Sequence, residues 1–196
     1  TDFIRTGIYD RNRTFYNTIS PSMDILISSN LERMIFEFAE RSDGEVRSYM
    51  TQLANQGRYE VSDSVRARFQ QNFAAGFCDD AQTKETIAKL WNENHYLVDP
   101  HSAVAFHVLE EYRRESGDET PTIVVSTASP FKFCADVLEA LGEKEIAQGT
   151  AVIDQLTEKT GVPAPAPLAA LKHFKPRDAK VTAKEAMETA VLDFLK

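Results

Sequence analysis

Closely spaced glycines are missing from this 196-residue chain: its eight glycines are scattered, and the nearest pair is Gly142 and Gly149. A phosphate-binding loop needs several neighbouring backbone N–H groups that converge on the anion, and glycines allow this close approach. The chain therefore has no sequence signature of a glycine-rich phosphate loop.

Cysteines, long apolar runs and basic charge are also scarce. Cys78 and Cys134 lack metal-ligand spacing; one disulfide is possible, but we expect two reduced thiols, no metal and a cytoplasmic location. The longest apolar runs are short, such as residues 123–125, so we expect no membrane span. A formal net charge of −8 argues against nucleic-acid binding. The chain has no apolar signal region and starts with Thr1 instead of Met, which suggests a trimmed or excised chain.

Most of the chain has the apolar spacing of amphipathic helices. Apolar residues recur at i, i+3, i+4 and i+7, as in Leu31, Met34, Ile35 and Phe38. Similar stripes predict further helices, which we place near 43–53, 65–73, 87–91, 102–114, 133–141 and 187–195. Capping boxes are predicted twice, with Ser29 and Thr182 as the N-cap residues.

Strand signals are fewer. Residues 122–127 have an apolar centre without alternation, which predicts a strand covered by helices on both faces. Residues 15–19 are a weaker strand candidate. A helix, a buried strand, a tight turn and a helix form the unit of an α/β fold. Alternating prolines at 163, 165 and 167 predict an extended linker, so we divide the chain into 1–160 and a linker with a last helix, 161–196.

Three segments in order resemble threonine synthases. They are SPSMDI at 20–25 with SNLER at 29–33, YLVDPHSAVA at 96–105, and VVSTASPFKF at 124–133. The opening residues 1–3 also look like the stretch that follows the glycine-rich loop of that family. The resemblance is good over about two thirds of the chain and weakens from the proline-rich segment onward.

The resemblance implies the C-terminal half of a fold-type-II pyridoxal-phosphate enzyme: a helix-rich α/β structure with a few mainly parallel strands. In that family a lysine in an SFKD stretch forms a Schiff base with the cofactor, and the enzyme converts O-phosphohomoserine and water to threonine and phosphate. The chain contains no SFKD stretch. We therefore expect no catalytic residue in this chain, an N-terminal half missing from it, and neither cofactor binding nor activity when it is alone.

Thr127 is the first candidate cofactor-binding residue, and Ser126 is the residue most easily confused with it. The family's STA threonine faces the pyridine nitrogen of the cofactor. A neutral hydroxyl there can bond an unprotonated ring nitrogen, whereas a carboxylate would favour the pyridinium form. Thr127 alone could equally cap the following helix. Because side chains alternate along a strand, only one of the two residues can point into the site.

Asp99 and His101 flank Pro100 at a predicted helix start. Asp99 is suited to cap the helix, and His101 is either an acid–base group or, as we prefer, a second capping and orienting residue. Lys132 superficially resembles the Schiff-base lysine, but its position after the STA segment argues against that role.

Four residues of the first segment match family positions and could line the rim of the site. They are Ser22, Asp24, Asn30 and Arg33. The Arg33 guanidinium could hold a substrate carboxylate or phosphate. The alternative, which we prefer, is that Arg33 only pairs with Asp24 or Glu32.

Two functions remain open at this point. The first is the C-terminal part of a threonine synthase, and the second is a non-catalytic helical interaction module derived from such an enzyme half. An enzyme half should also expose apolar surface that normally packs against the other half, so the isolated chain could self-associate.

Overall fold

The fold is helical with one small sheet. The computed structural model describes residues 1–175 and 181–195. Its helices are α1 (Asp2–Thr6), α2 (Ser29–Phe38), α3 (Asp43–Gln56), α4 (Asp63–Asn72), α5 (Asp80–Asn94), α6 (Pro100–Ser116), α7 (Cys134–Ala140), α8 (Ala151–Thr160), α9 (Ala166–Ala169) and α10 (Met187–Phe194). The strands are β1 (Ile8–Asp10) and β2 (Arg58–Glu60). No helix in the described part of the chain is both long and apolar enough to cross a membrane.

The two strands pair antiparallel, with Tyr9 opposite Tyr59. The rings of these tyrosines stack with their centroids 5.3 Å apart, which places an aromatic pair on one face of the sheet. Within residues 1–175 and 181–195 this is the whole sheet. The helix-rich character is confirmed, but the expected set of mainly parallel strands is not.

The first apolar core lies under this sheet. It is formed by side chains of the four helices α1, α2, α3 and α4. Ile35, Val65 and Phe69 are almost fully buried in it. Phe3 makes edge-to-face contacts with Phe69 at 5.1 Å between ring centroids. Ile35, Val65 and Phe69 come from the stripes that the i, i+3, i+4 spacing predicts, whereas Phe3 does not.

A second apolar core is built from α5, α6, α7 and α8. Ile87, Val137, Leu138 and Leu156 are completely buried in it. The proline-rich segment packs on this core through Val162, among others. Instead of remaining extended throughout, this segment forms α9, because proline is tolerated in the first turn of a helix. The division of the chain at 160/161 stays a prediction, and residues 176–180 and 196 of its second part lie outside the described residues.

Both predicted capping boxes are wrong. Ser28 is the N-cap of α2, without a side-chain hydrogen bond, and Ser29 is its first helical residue. The Ser28 N–H donates to the Tyr9 hydroxyl at 2.7 Å, so a tertiary contact determines where the chain enters this helix. Before α10, a 3₁₀ turn, Lys184–Ala186, replaces the cap: Ala186 N–H donates to the carbonyl oxygen of Ala183.

The predicted strands at 15–19 and 122–127 are also wrong. Both segments lack regular secondary structure. In the first, the Thr18 N–H donates to the Asp24 carboxylate instead of to a neighbouring strand. In the second, the expected burial fails, because Ile123 is 89% exposed and Val125 is 71% exposed. A strand needs a neighbour to accept its backbone hydrogen bonds, and the described residues provide none for this segment.

Candidate functional site

A buried carboxylate lies where the three motif segments meet. Asp99 is 0% exposed and caps α6, accepting hydrogen bonds from the backbone N–H groups of His101 at 2.9 Å and Ser102 at 3.4 Å. Its side chain also accepts from Nδ1 of His101 at 3.0 Å and from the Ser102 hydroxyl at 2.5 Å. A buried charge needs this number of donors, so Asp99 is fully committed inside the protein.

Ser102 connects this carboxylate to the segment 122–127. The Oγ atoms of Ser102 and Ser126 are 3.2 Å apart. A hydroxyl has one hydrogen, and a carboxylate can only accept; the Ser102 hydrogen therefore points to Asp99. The Ser102–Ser126 contact also has Ser102 as its donor, so it competes with Asp99 for this hydrogen, and the Ser126 hydroxyl donates to the carbonyl oxygen of Ala128 at 3.5 Å.

His101 connects the same carboxylate to the segment 20–25. Its Nε2 lies 3.2 Å from the backbone N–H of Ser22, which can only donate. Nε2 is thus the acceptor, and Nδ1 carries the hydrogen that faces Asp99. The ring is buried and lies 4.9 Å from the Phe133 ring centroid. Because both ring nitrogens are bonded inside the protein, the arrangement favours an orienting role for His101 over acid–base catalysis.

Ser126 and Thr127 are both exposed. They differ in hydrogen bonding, because the Ser126 side chain contacts Ser102 and Ala128, whereas the Thr127 side chain makes no hydrogen bond to any described residue. Val124, two residues before Ser126, lines a cavity with Leu90 and Phe106, whereas Ile123 and Val125 are exposed. Of residues 123–127 only Val124 packs inward; Ile123, Val125, Ser126 and Thr127 are all exposed. We call this surface the 123–127 face.

The remaining candidates of the first segment, Asp24, Asn30 and Arg33, bond to partners outside the Asp99 network. Asp24 accepts from the hydroxyl of Thr18 at 2.8 Å and so braces the turn around 18–24. Arg33 donates to Oδ1 of Asn30, whereas the expected pairing was with Asp24 or Glu32. Both Asn30 and Arg33 are exposed, so the structure leaves the guanidinium open to solvent on one side.

The lysine and the two thiols near this site are not nucleophiles here. Lys132 is exposed in a single 3₁₀ turn, Pro130–Lys132. Cys78 and Cys134 are free thiols, as expected. Burial raises the pKa of both thiols above the ordinary cysteine value, so both are protonated at neutral pH.

Comparison with known proteins agrees with the resemblance of the sequence to threonine synthases. Residues 102–191 match the family model described as threonine synthase, C-terminal. The threonine synthase of Corynebacterium glutamicum is 36% identical over 147 residues, which cover 72% of this chain and 30% of that protein. A crystal structure of the pyridoxal-phosphate-bound threonine synthase from Brucella melitensis superposes with a TM-score of 0.71 at 33% identity, covering 88% of this chain and 33% of that one.

The chain is homologous to the C-terminal part of threonine synthases. A further relative, the threonine synthase-like 1 protein of Macaca fascicularis, is 38% identical over 148 residues, which make up 74% of this chain. That match covers 19% of the relative, so the chain spans about a fifth to a third of the length of the proteins it resembles.

Ser102 is the site residue that sequence reasoning did not single out. The sequence contains a pattern that could have identified it: a serine three residues after an N-cap aspartate can donate its hydroxyl hydrogen to that carboxylate. Its second partner, Ser126, is 24 residues away, and no local pattern predicts that contact.

Proposed function

We propose that this chain contributes one wall of the pyridoxal-phosphate site of a threonine synthase, which converts O-phosphohomoserine and water to threonine and phosphate. The lysine that binds the cofactor and the loop that holds its phosphate would come from another part of the protein, since the chain contains no match to either. The meeting of all three motif segments at Asp99 and the homology to threonine synthases support this proposal.

The observation that carries the proposal is the environment of Thr127. Ser126 and Thr127 are both exposed, but the Ser126 hydroxyl has partners, whereas the Thr127 hydroxyl has none among the described residues. A neutral hydroxyl in this position can donate to the unprotonated ring nitrogen of the cofactor and so fits that group. When bound, pyridoxal phosphate withdraws electrons from the substrate. The role of Thr127 is to hold the ring and keep its nitrogen without a positive charge.

The 123–127 face would pack against the lysine-bearing part of the enzyme. Ile123 and Val125 present apolar side chains beside Thr127, and their backbone groups have no strand neighbour among the described residues. A strand added along this segment would satisfy those groups and bury both side chains. The free thiols fit a reducing compartment, and we extend the proposal to a cytoplasmic enzyme.

The first test compares the full-length protein with this chain alone. We expect the full-length protein to show an absorbance band of lysine-bound pyridoxal phosphate that survives dialysis and disappears on borohydride treatment. We expect no such band, and no release of phosphate from O-phosphohomoserine, from the isolated chain. A full-length protein without the band would overturn the proposal and favour the non-catalytic interaction module.

The second test addresses Thr127 directly in the full-length protein. Thr127→Ser keeps the hydroxyl and should keep the absorbance maximum, whereas Thr127→Val removes only the hydroxyl at equal size. We expect Thr127→Val to shift the maximum and lower kcat by about tenfold or more, because a bond of about 1–2 kcal/mol to the ring is lost. Equal spectra and rates for the two variants would exclude the role of Thr127.

A further inference from the structure

The last described helix, α10, has an uncovered apolar side. Four of its apolar residues follow the i, i+3, i+4 and i+7 spacing and therefore lie on one side of the helix. They are Met187, Ala190, Val191 and Phe194. Met187 and Val191 are each 56% exposed, and Phe194 is 82% exposed. Neither apolar core contains a residue of α10, so the described residues leave this side open, and we call it the α10 face.

The match to the family model indicates that α10 belongs to the domain that threonine synthases share. The matched range, 102–191, runs through α7 and α8 of the second core and continues into α10. Single apolar side chains on a surface need no explanation, but large apolar side chains grouped on one face mark a contact site. We therefore expect another surface to cover the α10 face in the full-length protein.

The small size of the α10 face decides between two kinds of cover. The helix has eight residues and is about 12 Å long. A stable contact between two separate proteins buries about 800 Å² on each partner, which is more than one side of so short a helix offers. A contact inside one polypeptide needs less area, because the covalent link keeps the two surfaces at an effective concentration of about millimolar. The area thus favours a cover from the same polypeptide over a second copy.

We propose that the part of the full-length protein that bears the cofactor lysine covers the α10 face. The matches span 19–33% of the relatives, so most of such an enzyme lies outside this chain and is available as the cover. Val191 and Phe194 carry no hydrogen-bonding group, so the surface that fits them is an apolar groove. The identity of the cover as the lysine-bearing part rests on the proposed function, whereas the burial of the α10 face does not.

Hydrogen–deuterium exchange of the α10 amides tests whether the face is covered. We expect these amides to exchange about tenfold or more slowly in the full-length protein than in this chain alone, because docking suppresses the local unfolding of a short helix. Val191→Asp places a charge on the α10 face and should abolish this slowing. Thr189→Asp is the matched control, since it adds the same charge to the opposite, exposed side of the same helix. It should leave the slowing unchanged.

Each variant is measured both in the full-length protein and in this chain alone, which corrects for the effect of the new charge on the helix itself. Equal exchange of α10 in the unmodified full-length protein and in the isolated chain would overturn the proposal. Equal effects of Val191→Asp and Thr189→Asp in the full-length protein would do the same.

Cross-linking identifies the cover. With benzoylphenylalanine in place of Phe194, irradiation of the full-length protein should join α10 to the lysine-bearing part within one polypeptide, as peptide mapping by mass spectrometry would show. A product of doubled mass would mean that a second copy is the cover. A cross-link to another residue of this chain would mean that the chain covers its own helix. Either of these two products would overturn the proposal.

The cofactor absorbance of the unmodified full-length protein separates failure of this inference from failure of the proposed function. If the protein binds no pyridoxal phosphate, the proposed function fails and the lysine-bearing part is not the cover, while the exchange still decides whether the α10 face is buried. If the protein binds the cofactor but α10 exchanges as fast as in the isolated chain, the docking of α10 is wrong and the proposed function stands.

Discussion

Nδ1 of His101 lies 3.0 Å from Oδ1 of Asp99, and both side chains are buried. On the other side of the ring, Nε2 accepts the backbone N–H of Ser22 at 3.2 Å. This imidazole therefore joins two segments that are 79 residues apart in the chain. Its function in the structure is to connect the two apolar cores, because Ser22 precedes α2 of the first core and His101 begins α6 of the second.

The first prediction concerns the tautomer of His101. Above pH 8, where an ordinary histidine is neutral, we expect hydrogen on Nδ1 and none on Nε2, because Ser22 N–H can only donate. Nitrogen-15 NMR distinguishes the two ring nitrogens by their chemical shifts. His95, which is exposed, is the internal control and should show averaged shifts. A signal for hydrogen on Nε2 of His101 would contradict the assigned bond to Ser22.

The second prediction concerns the free energy of unfolding of Asp99→Ala. The substitution leaves the Ser102 hydroxyl, the His101 ring and two backbone N–H groups without their buried acceptor, so we expect a loss of about 3–5 kcal/mol. Asp79→Ala is the matched control, since Asp79 caps α5 from an exposed position. Its loss should be about 1 kcal/mol. Urea denaturation followed by circular dichroism measures both values, and similar losses would show that Asp99 acts only as a cap.

Most helices could be predicted from the sequence, because their apolar spacing depends only on neighbours within two turns. The stripe Leu31–Phe38 and the segment 102–114 both lie in helices of the structure. Their exact starts could not be predicted, since the N-terminus of α2 depends on Tyr9, which contacts Ser28 from β1. Caps are therefore least predictable where a tertiary contact replaces the local one.

In the candidate site, too, local features could be predicted from the sequence and tertiary contacts could not. Asp99 as a cap was predictable from Asp-Pro at a helix start. The partner of Ser102 was not, because it requires the segment 122–127 to lie on α6. The apolar run Ile123–Val125 predicts a buried strand, and this prediction is wrong because the described residues supply neither a paired strand nor cover for these side chains.

The third prediction concerns stability at alkaline pH. Burial in the first core, followed by the charges of Tyr9 and Glu32, raises the pKa of Tyr59 well above the ordinary value of about 10. A raised acid pKa means that the folded state keeps a proton which the unfolded state releases. The stabilisation is therefore complete below pH 10 and is lost as the pH rises further.

Tyr59→Phe supplies the comparison for this effect. Between pH 10 and pH 11.5, the unmodified chain should lose up to about 1.4 kcal/mol per pH unit more than Tyr59→Phe, the value for one proton. Urea denaturation at a series of pH values measures this difference, and the shared loss from lysines cancels between the two proteins. Parallel curves for the two proteins would mean that Tyr59 ionises equally in both states.

The fourth prediction concerns self-association of the isolated chain through the 123–127 face. Ile123 is 89% exposed beside Val125 in a segment without a strand neighbour among the described residues, and such open apolar edges pair with one another. We expect concentration-dependent dimers in sedimentation velocity. Ile123→Lys places a charge on the face and should weaken dimerisation by about tenfold or more, because two like charges would meet across it.

Thr120→Lys is the matched control for this experiment. It adds the same charge three residues earlier, at an exposed residue whose side chain lies beside the Asp118 carboxylate. We expect its sedimentation to equal that of the unmodified chain. Dimers that persist unchanged in Ile123→Lys would place the contact elsewhere, and the exposed side chains of α10, such as Phe194 and Leu195, would be the next face to alter. A chain that stays monomeric at all concentrations would contradict the prediction of self-association.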